Sequence, residues 1–192
     1  MALNRIPALI FILLLARPAM AQVDYKPTVT KMTVSGTSTL HEWTSEVTQV
    51  DWTGIVAINA DNQVDIKNVS ISIPVKSIKS TQGRIMDNKT WDAFNAEKNP
   101  TITYRVTSYQ TKVVGSETLI DANGALSMAG ITKTIPLQVK VRNANGQLVL
   151  TGSRKLNMPE FKMDPPSAMM GTINVGPDVT VNFKITLVPN KI

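Results

Sequence analysis

The sequence predicts one antiparallel all-β domain, a sandwich or a barrel, carrying a single short helix. Alternation is the first sign. Val179, Val181, Phe183, Ile185 and Leu187 interleave with Thr180, Asn182, Lys184 and Thr186, so apolar side chains share one face of an extended strand. Several runs of this kind are joined by short turns rich in Asn, Asp and Gly, the spacing of an antiparallel fold. The third sign is a scarcity: past the N-terminal leader, only the first half of Gly83–Val106 reads as helix. A lone helix with two large aromatics, Trp91 and Phe94, needs a sheet to lie against or a barrel to plug.

Residues 1–21 read as a secretory signal. Arg5 precedes the apolar run Ile6–Ala16, and Ala19-Met20-Ala21 supplies a cleavage site of the A-x-A kind. The run falls short of the about 20 apolar residues that a transmembrane helix needs, the alternative being an uncleaved anchor. The mature domain is then residues 22–192, soluble in the periplasm or secreted. With no cysteine, it relies on packing alone; a domain of this size buries roughly 70% of the unfolded chain's surface. Loss of Arg5 and Arg17 lowers the formal net charge from +6 to +4. The remaining Lys and Arg are scattered singly, which offers no phosphate-tracking patch for a nucleic acid. Mild basicity favours transient contact with an anionic lipid surface.

The strands follow in order. Thr28–Val34 opens, with Met32 and Val34 on one face, and Gly36-Thr37-Ser38 breaks it. Val50, Trp52, Gly54, Val56 and Ile58 keep one parity up to the turn Asn59-Ala60-Asp61-Asn62. Val64 and Ile66 begin the next strand, and the parity then slips to Val69, Ile71, Ile73 and Val75, the mark of a bulge at Lys67-Asn68. The helix carries Trp91 and Phe94 three apart on one face, and Asn99-Pro100 is expected to stop it. Ile102, Tyr104 and Val106 share a strand face. Gly115-Ser116-Glu117 reads as a hairpin, Asp121-Ala122-Asn123-Gly124 as another turn, and Asn143-Ala144-Asn145-Gly146 as a third. Ile135, Leu137, Val139 and Val141 alternate between the last two; Leu148 and Leu150 follow. Pro159–Met170 is irregular, and Met158, Met163, Met169 and Met170 make it either gap-filling packing or an adaptable apolar lid.

Catalytic patterns are nearly absent. One histidine and no cysteine exclude a thiol nucleophile or a His/Cys metal cluster. A Ser/His/Asp triad through His41 lacks the G-x-S-x-G elbow. There is no Walker motif and no G-x-G-x-x-G, and Glu160 with Asp164 reads more simply as a loop cap than as an acid/base pair. His41 is either a polar group held at a strand end or a head-group contact at a cavity mouth. Trp43 and Trp52 read as core or rim packing.

The succession of motifs resembles the YceI-like polyisoprenoid-binding family. The matching landmarks are Ser35–Trp43 (SGTSTLHEW), Ile71–Ile78 (ISIPVKSI), Trp91-Asp92-Ala93-Phe94 running into Lys98–Tyr104 (KNPTITY), Gly124–Lys133 (GALSMAGITK) and the closing Gly171–Leu187. The resemblance implies an extended antiparallel β-barrel, lipocalin-like, of about eight strands with one short helix. It implies an apolar cavity that binds a long isoprenoid or other amphiphilic lipid for storage or carriage, no reaction, no cofactor, and in many members a homodimer. The run Arg84–Lys89 (RIMDNK) departs from the family's Arg-Asp-x-His-Leu-like pattern, which leaves His41 as the sole histidine near a head group.

On that basis the wall of the cavity is expected at Val56, Ile71, Ile73, Ile102, Tyr104, Val139, Phe183 and Ile185, and its mouth or plug at His41, Trp91 and Phe94. Parity alone leaves a tunnel and a side-chain-filled interior equally open. The competing functions are a packed barrel acting through its surface in the periplasm, with no lipid ligand, and a hydrolase or isomerase using His41.

Overall fold

A computed structural model describes residues 23–59, 61–168 and 171–190. The leader and the methionines at 169 and 170 lie outside the described residues. The strands are β1 (Val23–Ser38), β2 (Glu42–Val47), β3 (Asp51–Ile58), β4 (Val64–Pro74), β5 (Ile78–Ser80), β6 (Thr101–Val114), β7 (Glu117–Met128), β8 (Ile131–Ala144), β9 (Gln147–Asn157), β10 (Ser167–Ala168) and β11 (Ile173–Pro189). The helix α1 spans Arg84–Ala93, between β5 and β6.

Strands β1, β11, β9, β8, β7, β6, β4 and β3 hydrogen-bond in that order, and β3 returns to β1 through Val23–Tyr25 opposite Val56–Ile58. The sheet is thus a closed eight-stranded antiparallel barrel. Closure removes the exposed edges that a free sheet would carry. The far end of β1 instead pairs with β2, and β2 with β5, so a short flap extends the wall beneath α1.

Local chemistry accounts for the turns. Ala129-Gly130 and Asn145-Gly146 have positive φ at both residues, as a two-residue hairpin turn of the twisted sheet demands. The bulge expected at Lys67-Asn68 is present. Thr53 faces Ser70 and Ile55 faces Lys67, so Asn68 and Val69 together oppose Gly54 alone. Asn68 sits at φ 52° and Gly54 at φ 95°.

Several boundaries differ from the sequence reading. Gly36-Thr37-Ser38 does not break β1, which runs through it paired with β2 and β11, and β11 begins at Ile173, ahead of Gly176-Pro177. Strand β1 begins at Val23, five residues before Thr28, because Val23–Tyr25 pair with β3 and β11 runs on to Pro189 opposite Tyr25. Asp121–Gly124 is no turn but lies inside β7, paired on both sides. Ala122 faces the core, the Asp121 carboxylate accepts from Gln138 Nε2 at 2.8 Å on the outer face, and the space over Gly124 is taken by the Tyr104 ring. The helix ends at Ala93, well before Asn99-Pro100. Asn95, at φ 50°, ends it in a Schellman arrangement, with Asn95 N–H donating to Asp92 O at 2.9 Å and Ala96 N–H to Trp91 O at 3.0 Å.

The interior has two tiers. At the end holding the β3–β4, β6–β7 and β8–β9 hairpins, Tyr25, Val56, Ile58, Val64, Val69, Ile120, Val141, Leu148, Leu150, Ile185 and Leu187 pack solidly, and Leu148 and Leu187 are wholly buried. At the other end, under α1, Leu126, Met128, Met158, Phe161, Met163 and Val179 form a second cluster around open space.

Candidate functional site

The open space in the second tier is a cavity of about 190 Å³, counted as room for the centre of a water molecule. One water needs roughly 10–15 Å³ on that measure, so the cavity would hold on the order of a dozen. Its wall is built from inward positions of the barrel strands: Met32, Ile71, Ile73, Ile102, Leu126, Leu137, Val179, Val181 and Phe183. Its roof comes from Met86, Ala93 and Phe94 of α1 and its end, and from Met158, Met163 and Pro166 of the segment after β9. Trp43 closes one side, its ring lying over Gly36 and its Nε1 donating to Thr37 O at 3.1 Å.

The floor is cut at one level across the barrel. On β4 the lining ends at Ile71 and the packed tier begins at Val69; on β6 the step is Tyr104 to Val106; on β8, Leu137 to Val139; on β11, Phe183 to Ile185. Two glycines stand at this level. A β-carbon at Gly124 would overlap the Tyr104 ring, and one at Gly152 would overlap the Phe183 ring. Each missing side chain therefore makes room for an aromatic ring that spreads across the floor.

Of the residues expected to form the wall, Ile71, Ile73, Ile102, Tyr104 and Phe183 line the cavity, and so does Phe94. Val56 and Ile185 point inward as their parity requires, but each is only 2% exposed within the packed tier, and Val139 packs against that tier. Trp91 is directed onto β5: its Nε1 donates to Ile78 O at 3.2 Å and the Lys79 ammonium lies 4.3 Å from its ring centroid. Phe94 parts from Trp91 because it is already the helix C-cap, one residue before the reversal at Asn95.

His41 is exposed and lies outside the cavity lining, yet it touches the rim. Its Nδ1 lies 2.7 Å from Glu42 O, and its Nε2 lies 3.2 Å from Gln82 Nε2. The carbonyl can only accept, so the ring carries its proton on Nδ1 and Nε2 accepts from the Gln82 amide. Gln82 is the one exposed residue of the lining, which marks the rim there. The α1 run Arg84–Lys89 is anchored by Asp87, whose buried carboxylate accepts from Ser80 N–H at 2.6 Å and lies 3.6 Å from the Lys79 ammonium.

Arg154 escaped the sequence reading. It shares the inward parity of Leu148, Leu150 and Leu156, and an arginine on an otherwise aliphatic face is the signal that could have revealed it. It lines the cavity beside Tyr104. Burial pushes the Tyr104 phenol up to about 12, against a smaller opposing pull from the Arg154 charge. The phenol is thus a neutral proton donor at physiological pH. Among the described residues, no group of three His, Cys, Asp or Glu side chains is placed to hold a metal ion.

A family model for the YceI-like domain matches residues 22–187. Solved structures with the same fold include BcnA of Burkholderia cenocepacia, at 16% identity and TM-score 0.65 over 82% of this chain and 95% of that one. A polyisoprenoid binding domain from Saccharophagus degradans, implicated in plant cell wall breakdown, aligns at 14% identity and TM-score 0.63 over 88% of this chain and 99% of that one. The Campylobacter jejuni YceI protein aligns at 19% identity and TM-score 0.57 over 76% of this chain and 86% of that one. No curated protein matches the sequence.

Proposed function

The chain belongs to the YceI-like family, and from that membership we propose that it is an exported carrier or store for an amphiphilic, isoprenoid-type lipid, without catalytic activity. The observation that carries this reading is the cavity: about 190 Å³ of open space with an almost wholly aliphatic and aromatic wall inside an otherwise packed barrel. An apolar chain entering it gains roughly 0.8 kcal/mol for each CH₂ removed from water. Affinity then accrues along the chain without specific polar contacts. The polyisoprenoid binding domain from Saccharophagus degradans, alike in fold, supports the ligand class.

Ile71, Ile73, Phe94, Ile102, Tyr104 and Phe183 are the proposed ligand contacts. Val56, Val139 and Ile185 stiffen the floor beneath them, and His41 and Trp91 frame the rim and the helix that covers it. Leu40 and Ile85, 65% and 77% exposed, stand close in sequence to His41 and Gln82 at this same end. They suit transient contact with a lipid surface during loading, in the periplasm once residues 1–21 are removed. Organic extraction of protein purified from its native compartment, followed by mass spectrometry, should return an isoprenoid-type lipid in near-stoichiometric amount. A protein that yields no lipid and takes up none from added isoprenoids would sink the reading.

A further inference from the structure

Two polar atoms at the cavity floor lack partners. Tyr104 Oη and Arg154 Nε are buried with no hydrogen bond among the described residues. The third such atom, Trp52 Nε1, belongs to a side chain packed against the solid tier and outside the cavity lining. A buried donor left unpaired is costly, and more so on a charged group. Among the described residues no ion pair engages Arg154.

The sheet explains how an arginine comes to be there. The β8–β9 ladder stops at Val139 opposite Gly152, so beyond that point β9 bonds only to β11 and β8 only to β7. Leu137 and Arg154 fill the seam. Both border the cavity on one side and, on the other, an outer cleft lined by Asp121, Asn123, Gln138 and Ser153. The carboxylate in that cleft, on Asp121, is engaged by Gln138 instead. The Arg154 Nε–H is therefore buried at the floor, with no carboxylate at ion-pair distance from Arg154 among the described residues, in a lining shared with a phenol that keeps its proton.

We propose that Tyr104 and Arg154 form an internal polar subsite that binds an anionic oxygen of the ligand, a carboxylate or phosphate, so that the lipid lies head inward with its chain toward Gln82. This rests on the carrier reading and specifies the chemistry and direction of the ligand. Tyr104 Oη–H and Arg154 Nε–H donate to the head-group oxygen, and the positive charge is neutralised in place. The aliphatic wall from Ile71 and Ile102 up to Phe94 takes the chain.

Competition against the neutral dye N-phenyl-1-naphthylamine tests this with three probes of one chain length: farnesoic acid, farnesyl phosphate and the hydrocarbon farnesene. In the intact protein at least one acid should bind about tenfold or more tighter than farnesene, as expected for hydrogen bonds to a charged partner. The acid with the larger preference identifies the head group. Tyr104→Phe should reduce that preference and Arg154→Met abolish it, each through a loss of acid affinity larger than any loss of farnesene affinity, with a circular dichroism spectrum unchanged from wild type as the benchmark that the fold is intact. Acids and hydrocarbon binding alike, a preference that survives Arg154→Met, or an equal loss for all three probes would overturn the subsite. Failure of all three to displace the dye would instead bring down the carrier reading and the subsite with it.

Discussion

Tyr104 lies so close over Gly124, across the β6–β7 ladder, that a β-carbon at position 124 would overlap its ring. This contact sets both the level of the floor and the position of the one phenol in the cavity. Gly124→Ala should therefore destabilise the fold by about 1–3 kcal/mol, the usual cost of overpacking. Urea unfolding would show this as a lower midpoint at unchanged slope. Combining it with Tyr104→Ala should give a loss smaller than the sum of the two, because the clash is removed with the ring.

Gly54 makes a second close approach, of backbone rather than side chain. At φ 95° a β-carbon there would lie 2.5 Å from Asn68 O. Gly54→Ala should cost more than the roughly 1 kcal/mol typical of an unfavourable left-handed residue. Asn68→Gly, at φ 52° on the opposite strand, should be nearly neutral. Equal costs at the two positions, measured by thermal unfolding, would refute this account of the bulge.

Alkaline pH should weaken the protein through Tyr104. Burial pushes its phenol up to about 12, whereas an unfolded tyrosine titrates near 10. The folded state thus holds the proton more tightly than the unfolded chain. The stabilisation is fully present below about pH 10 and is lost as pH rises through about 12. Unfolding free energies measured across that window should fall with pH, and Tyr104→Phe should flatten the decline. Tyr109, also raised by burial but bonded to Asp65 Oδ1 and Ile66 N, leaves a residual slope.

The two tiers predict different responses to the same truncation. Ile185→Ala opens a hole in solid packing and should cost about 2–5 kcal/mol. Ile102→Ala only widens existing space and should cost distinctly less. Ile102→Trp should fill the cavity and abolish lipid uptake at little cost in stability, whereas Val56→Trp should disrupt folding. Parallel denaturation and dye-binding series check both halves of the statement.

Much of the barrel was legible because period-2 alternation survives in nearly every strand, and the slip at Lys67-Asn68 even located a bulge. What alternation cannot report is height along the barrel. Val56 and Ile73 have the same inward sense in adjacent strands, and only the three-dimensional level separates solid core from cavity wall. Asp121–Gly124 misled because Asn-Gly is the strongest local turn signal, and its glycine is needed instead by a ring twenty residues away in sequence. The helix end misled for a related reason: Pro100 is a conspicuous stop, but Asn95 can adopt a left-handed conformation and ends the helix first. Arg154 was open to detection by parity, since it falls on the same strand face as Leu148, Leu150 and Leu156.

The solid tier turns the cavity into a blind well. A through-going tunnel lets a long chain slide until both ends protrude, and so measures nothing. A well with a floor at Tyr104 and Phe183 would act as a depth gauge for the proposed cargo: every occupant would stop at the same level, and whatever exceeds the well's length would stand out past Gln82. The surplus would be what a membrane or a recipient protein meets first, so the length of the cargo would set how firmly it is held and how readily it is handed on.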